Sequence, residues 1–312
     1  MGKIEAARHI WRKRYGIRAR HRTGSSRFEG GSTMLSQLSG AVLRMILVMV
    51  LVALPAVFLV DVGPDTKQMV ALIALFAGSL TFIEYNAKYP SLIEFRDAAP
   101  FNRVRFGMLF AIVFCLSTIE SGRVNPTTLS RFIEAVGTLV GLALDFSFSP
   151  VRLATLMVGP DASLELIHAI RTAAGMAFVV SFFSLVAFML IVRTGRWPMR
   201  GKPFNVWVNL PTFDPAHGTD VVTRLTRDAN INFALAFLLP FLIPLAVTLA
   251  APGFEPLAMR SPQTLVWIMT AWAFLPASLF MRGIAMGRVA EMIREKREAN
   301  VLADSMRRYA PA

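Results

Sequence analysis

Apolar positions in this chain come in long runs more often than in stripes. Six runs, at about residues 39–60, 68–85, 106–119, 172–192, 231–250 and 264–281, carry few charges. Most approach the roughly 20 residues that a helix rising about 1.5 Å per residue needs to cross a bilayer core. Only the third, Phe106–Ile119, is short, and it must borrow flanking residues to span. A helix apolar on every side is stable in lipid or deep in a large core, and a chain of 312 residues cannot bury six of them. The pattern therefore predicts an all-α polytopic membrane protein with six transmembrane helices. The last run continues past Arg282 as RVAEMIREKREANVLADSMRR, a charged helical sequence.

One segment departs from this pattern. Between Thr127 and Leu164, Arg131, Glu134, Thr138, Gly141 and Asp145 recur at helical spacing. Phe132, Ile133, Val136, Leu139, Val140, Ala143 and Leu144 fall opposite them. A two-faced helix of this kind lies at an interface. Carrying both carboxylates into hydrocarbon would cost roughly 2.5–3.5 kcal/mol each. Residues of about 129–147 are thus expected to form an external amphipathic helix, with Glu134 and Asp145 on its solvated face.

Charge fixes the expected orientation. Basic residues cluster in 1–38, in the loop carrying Lys88, Arg96, Arg103 and Arg105, in residues 193–229 and after Arg282. Such clusters stay on the cytoplasmic side during insertion. Six spans keep them all there, whereas a seventh span through 132–149 would export residues 193–229. The domains expected are a basic cytoplasmic tail (1–38), a six-span domain (39–282) and a charged cytoplasmic helix (283–312). Within the tail, IEAARHIWRKRYGIRAR reads either as a basic amphipathic helix or as a solvated coil, and TGSSRFEGGST reads as a linker. Met34, just ahead of the first span, offers a second place for translation to start. The basic region is too long for a cleaved signal peptide.

Composition agrees: 54% of residues are hydrophobic and 17% charged, and mean hydropathy is +0.52. A soluble domain carries about 25% charged residues. The net charge of +13 lies in tails and loops, which points to an anionic inner leaflet rather than to nucleic acid. Cys115 is alone in an apolar run, so no internal disulfide forms. His9, His21, His168 and His217 show no ligand spacing beyond a single Glu165–His168 pair, so neither metal nor cofactor is expected.

Candidate chemistry is sparse. No phosphate-cradling glycine loop, H-E-x-x-H, G-x-S-x-G or C-x-x-C is present. Residues 193–229 are rich in aromatics and prolines, and Arg196, Trp197, Phe204, Trp207 and Phe213 read as docking anchors or as an interfacial belt. Span five offers Asn230 and Asn232 with the helix-breaking Pro240 and Pro244, a transport reading. Ala74 and Gly78 offer span two a small-residue face. Glu84 and Glu120 stand near span ends, where water is expected to reach them. The leading expectation is a non-enzymatic accessory, assembly or scaffold protein of a bacterial inner membrane, with a protein partner. The alternative is a small-solute or ion transporter; a third reading gives Glu134 and Asp145 an enzymatic role at the interface.

Overall fold

In the computed structural model, the described residues are 29–60, 62–159, 162–194, 197–198, 204–211, 213, 220–250 and 261–308. The expected amphipathic helix in the tail and the link APGFEPLAMR lie outside them. The chain divides into two units, residues 1–40 and 41–312.

The helices are α1 (Glu29–Phe58), α2 (Pro64–Asn86), α3 (Phe101–Gly122), α4 (Thr128–Ala143), α5 (Pro150–Thr155), α6 (Leu164–Thr194), α7 (Val206–Asn209), α8 (Val221–Ala250) and α9 (Pro262–Arg308). No strand occurs among the described residues. Six helices, α1, α2, α3, α6, α8 and α9, are long and apolar enough to cross a membrane. The protein is a polytopic helical membrane protein.

The helices overrun the apolar runs at most ends, because helix propagates cheaply into neighbouring residues once nucleated. Span three gains Phe101–Arg105 and Glu120–Gly122 in this way, reaching 22 residues, about 33 Å. Residues 29–33, read as linker, are the opening of α1. Residues 221–229, read as loop, are the opening of α8. Pro55 falls in the last turn of α1. The small-residue face of α2 is used: Ala74 and Gly78 are buried, and Gly78 lies against Met45 and Met49 of α1.

Helices α3 and α6 are antiparallel. The Phe101 ring, opening α3, meets Phe188, near the end of α6, at 5.6 Å. At the other end, Gly122 lies against Ser130 of α4, and Gly137 of α4 lies against Thr172 of α6. Residues 123–163 therefore leave and rejoin the bundle at one end. With 16 residues, α4 measures about 24 Å, short of a bilayer core. Its start is fixed by a capping box in which Thr127 and Ser130 each accept from the other's backbone N–H.

Only the first part of the stripe on α4 is the solvated face expected: Arg131 is exposed and Glu134 half-buried, whereas the rest meets other residues. Thr138 exchanges a 2.9 Å hydrogen bond with Thr172 of α6, and Gly141 lies against the Arg171 backbone. Asp145 is buried between Arg152 Nη1 at 3.0 Å and Arg171 Nε at 2.8 Å, the second an ion pair without hydrogen-bond alignment. The outward residues are instead apolar: Phe132 and Leu139 are 65% and 72% exposed. The pattern located the stripe, but Thr138, Gly141 and Asp145 within it form a packing face, because small residues and threonine let two helices approach closely.

Gly175 of α6 carries this contact. A Cβ there would stand 2.2 Å from the Gly137 carbonyl oxygen and 2.4 Å from the Gly141 nitrogen, both immovable backbone. Gly175→Ala should cost about 1–3 kcal/mol through overpacking, read as a lowered midpoint of thermal unfolding in detergent. Gly287→Ala, where a Cβ meets nothing within 4 Å, should be neutral or slightly stabilising.

Candidate functional site at the basic end

The end of the bundle opposite α4 gathers the loop 87–100, the described parts of 197–213 and the middle of α9. Its organisation starts from Glu84 in the last turn of α2. That carboxylate accepts from the Ser91 hydroxyl at 2.5 Å and from the N–H groups of Ser91, Leu92 and Ile93 at 3.0, 2.9 and 3.2 Å. Arg96 Nη1 donates to the carbonyls of Glu84 and Ala87 at 3.0 and 2.6 Å, serving acceptors that a helix end leaves open. Glu84 is 5% exposed, so water does not reach it as its place in the sequence suggested. Glu120, expected in water at the opposite end, is 6% exposed beside Arg123.

The folded-back loop holds Phe95 with a positive φ of 53°, unusual for a bulky side chain. Tertiary contacts hold it there. The Phe95 N–H donates to the Asn209 carbonyl at 2.6 Å, and its ring packs on Phe101 and Trp197 at 4.5 and 5.8 Å. Trp197 in turn donates from Nε1 to the Ala98 carbonyl at 3.0 Å, and Asn209 Oδ1 accepts from the Asp97 N–H at 3.0 Å.

Below this layer lies an ionic clamp. Arg282 of α9 donates from Nε and Nη2 to the two oxygens of Glu94 at 2.6 and 2.8 Å, a fork that matches the carboxylate. Its Nη1 donates to Asn232 Oδ1 of α8 at 3.0 Å. Asn232 Nδ2 donates back to the Asp228 carbonyl at 2.6 Å. Three chain segments, the loop 87–100, α8 and α9, thus close on one guanidinium. Since both Glu94 oxygens and both ends of the Asn232 amide are occupied, the arrangement suits a fixed clamp better than a proton relay.

The docking candidates fall out as follows. Trp197 and Phe213 are 1% and 5% exposed, so they anchor the chain's own loops and do not face outward. This corrects the reading of both as presented rings; their hydrophobic area finds a partner inside the chain. Phe204 is half-buried, 6.5 Å from the Phe95 ring. Arg196 and the side chain of Trp207 lie outside the described residues.

The transport candidates do not form one site. Asn230 is exposed, Asn232 is buried in the clamp, and Pro244 is buried. Pro240 accepts from Trp272 Nε1 at 3.1 Å, which satisfies a carbonyl beside the cavity described next. Between α6, α8 and α9 lies a cavity of about 270 Å³ lined by Phe178, Ser181, Phe182, Pro240, Trp272 and Pro276 among others; its walls are almost wholly apolar. Glu134 and Asp145 occupy different surroundings, Asp145 between two arginines and Glu134 in a shallow surface depression with Arg131. Among the described residues no group of His, Cys, Asp or Glu could hold a metal.

Sequence reasoning missed Glu94 and undervalued Arg282, which it placed only as a boundary residue. The available signal was an arginine at the inner limit of an apolar run, a position that calls for a partner. Nothing in the sequence named Glu94 as that partner, 188 residues away.

The chain matches no protein-family model, no curated protein and no solved structure.

Two measurements check this site. In a double-mutant cycle, Glu94→Gln and Arg282→Gln should each lower thermal stability, and together cost less than their sum, with a coupling of about 1–3 kcal/mol. Trp197→Phe should cost about 1 kcal/mol for the lost indole bond, and Trp197→Ala about 3–5 kcal/mol.

Proposed function

We propose that this protein is a non-enzymatic accessory or scaffold subunit of a membrane complex, and that its partner docks on the far part of α9. The observation that carries this reading is the exposed end of that helix. Alongside α8, α9 is held as far as Arg297, whose Nη1 donates to Asp220 at 2.5 Å. From Glu298 to Arg308 it continues as helix, and most of its residues are exposed. Helical turns without tertiary support are marginal in water. Here they carry Val301, Leu302 and Met306, which are 70, 58 and 56% exposed. Ala299, Leu302 and Met306 follow i, i+3, i+7 spacing and share one face, the pattern of a helix that lies in a partner's groove. The aromatic loop has a supporting role in this reading: Trp197 and its neighbours stiffen the end of the bundle from which α9 extends.

Orientation follows from charge. The basic end and both termini are cytoplasmic, in a bacterial inner membrane, because arginine-dense segments resist translocation. The transporter reading has weaker support, since Asn232 is held by Arg282 and the cavity beside Pro240 is apolar. Transported polar solutes need polar groups at mid-membrane.

Arg297 beside Asp220 holds that carboxyl below the usual carboxylate range. With the folded value lowered, the tether is present at neutral pH and is lost only as pH falls through that lowered value. Partner docking should therefore be insensitive to pH near neutrality.

Leu302→Asp with Met306→Asp tests the proposal, because both side chains are exposed and the bundle should fold unchanged. Full-length protein purified from native membranes should bring a membrane-complex subunit with it, and the double variant should lose it. If the purified protein instead carries a solute or an ion current in vesicles, and the double variant does so equally well, the proposal falls.

A further inference from the structure

Arg105 lies in the first turns of α3, about one turn inside the span, between the rings of Phe101 at 5.3 Å and Phe274 at 5.9 Å. Its guanidinium has five N–H donors, yet it donates no hydrogen bond among the described residues, and its Nε is fully shielded from water. The ring faces attract the cation but accept no hydrogen bond of ordinary strength, and a shielded guanidinium denied acceptors is costly, so such groups are normally paired. The nearest carboxylate that acts on it is Glu94, but both Glu94 oxygens are held by Arg282, itself a like charge near Arg105. The Glu84 carboxylate is filled by four donors from its own loop.

A second group of donors lies within electrostatic reach of Arg105. Arg44 of α1 stands 4.4 Å over the Tyr85 ring. Arg44, Arg96 and Arg105 all lie within electrostatic reach of the Tyr85 hydroxyl. The place therefore combines positive charge, a phenolic hydroxyl and an acceptor-starved guanidinium, at the end of the spans where lipid headgroups meet the protein. Both Arg44 and Arg105 are half-buried residues.

We propose that Arg105, with Arg44 and Tyr85, binds the phosphate of an anionic phospholipid, whose oxygens supply the acceptors that Arg105 lacks. The membrane itself is the source argued for, because Arg105 and Tyr85 stand near the ends of membrane-length helices, and an acyl chain would run along exposed apolar residues of α1 and α2, such as Leu43, Leu80 and Ile83. Arginine is suited to this task by its fork of donors.

The test uses the full-length protein in a zwitterionic detergent, with thermal unfolding and native mass spectrometry as readouts. Phosphatidylglycerol should raise the unfolding midpoint and remain bound, and phosphatidylcholine should do neither. Arg105→Met should bind phosphatidylglycerol about tenfold more weakly, the loss of one charge-assisted contact. In detergent alone the same variant should unfold no earlier than the wild type, since an unpaired buried charge has been removed. That combination separates ligand binding from a merely structural role. Arg44→Gln provides a second variant should Arg105→Met fail to fold, and it should also weaken retention. Equal retention of phosphatidylglycerol by the wild type and either folded variant overturns the proposal. So does an equal rise in midpoint from millimolar inorganic phosphate, which would make the ligand a soluble anion.

Discussion

Two helix backbones touch where α4 crosses α6, and much of the molecule depends on that contact. Gly137, Gly141 and Gly175 leave no room for a single Cβ between them. In hydrocarbon there is little hydrophobic drive to bring helices together, so close backbone approach and a few polar contacts must do it. The Thr138–Thr172 hydrogen bond and the Asp145 pair with Arg171 complete the set. Held there, residues 123–163 stay at one end of the bundle, and α3 and α6 run antiparallel. Only then do the loop 87–100 and the described parts of 197–213 come to the same end, where Trp197 can bond Ala98 and Asn209 can bond Asp97.

The two ends solve the problem of charge near lipid differently. At the α4 end, Asp145 lies between two arginines. At the basic end, Arg282 draws Glu94 and Asn232 into a clamp joining a loop and two spans. In both, an ionic group that would be expensive alone is matched with complementary donors or acceptors. Arg105 stands apart because it lies between two rings and the carboxylate that acts on it, Glu94, is already held by Arg282. This contrast with the clamp and with Asp145 singles it out among the charged groups of the basic end.

Much of the fold was legible in the sequence. Six apolar runs gave six membrane-length helices, and carboxylates spaced along 131–145 marked α4 as something other than a span. What sequence could not reveal was which groups meet. The fork of Arg282 on Glu94 joins residues far apart in the chain, and no local pattern encodes it. The burial of Trp197 depends on Phe95 in an unusual backbone conformation, which tertiary contacts alone maintain. On α4, helical periodicity located the stripe, but a neighbouring helix was needed to make it a packing surface. Glu84 misled for a related reason: a position near a span end implies water only when no loop folds back over it.

With α4 too short to span, residues 123–163 are expected to keep to one face of the membrane. Side-specific reporters inserted after Ser121 and at Ala162 measure this directly, in the full-length chain and in intact cells. Both should report the same, external face. Opposite faces would make α4 a span, turn the connectivity of α3 and α6 around, and contradict the account.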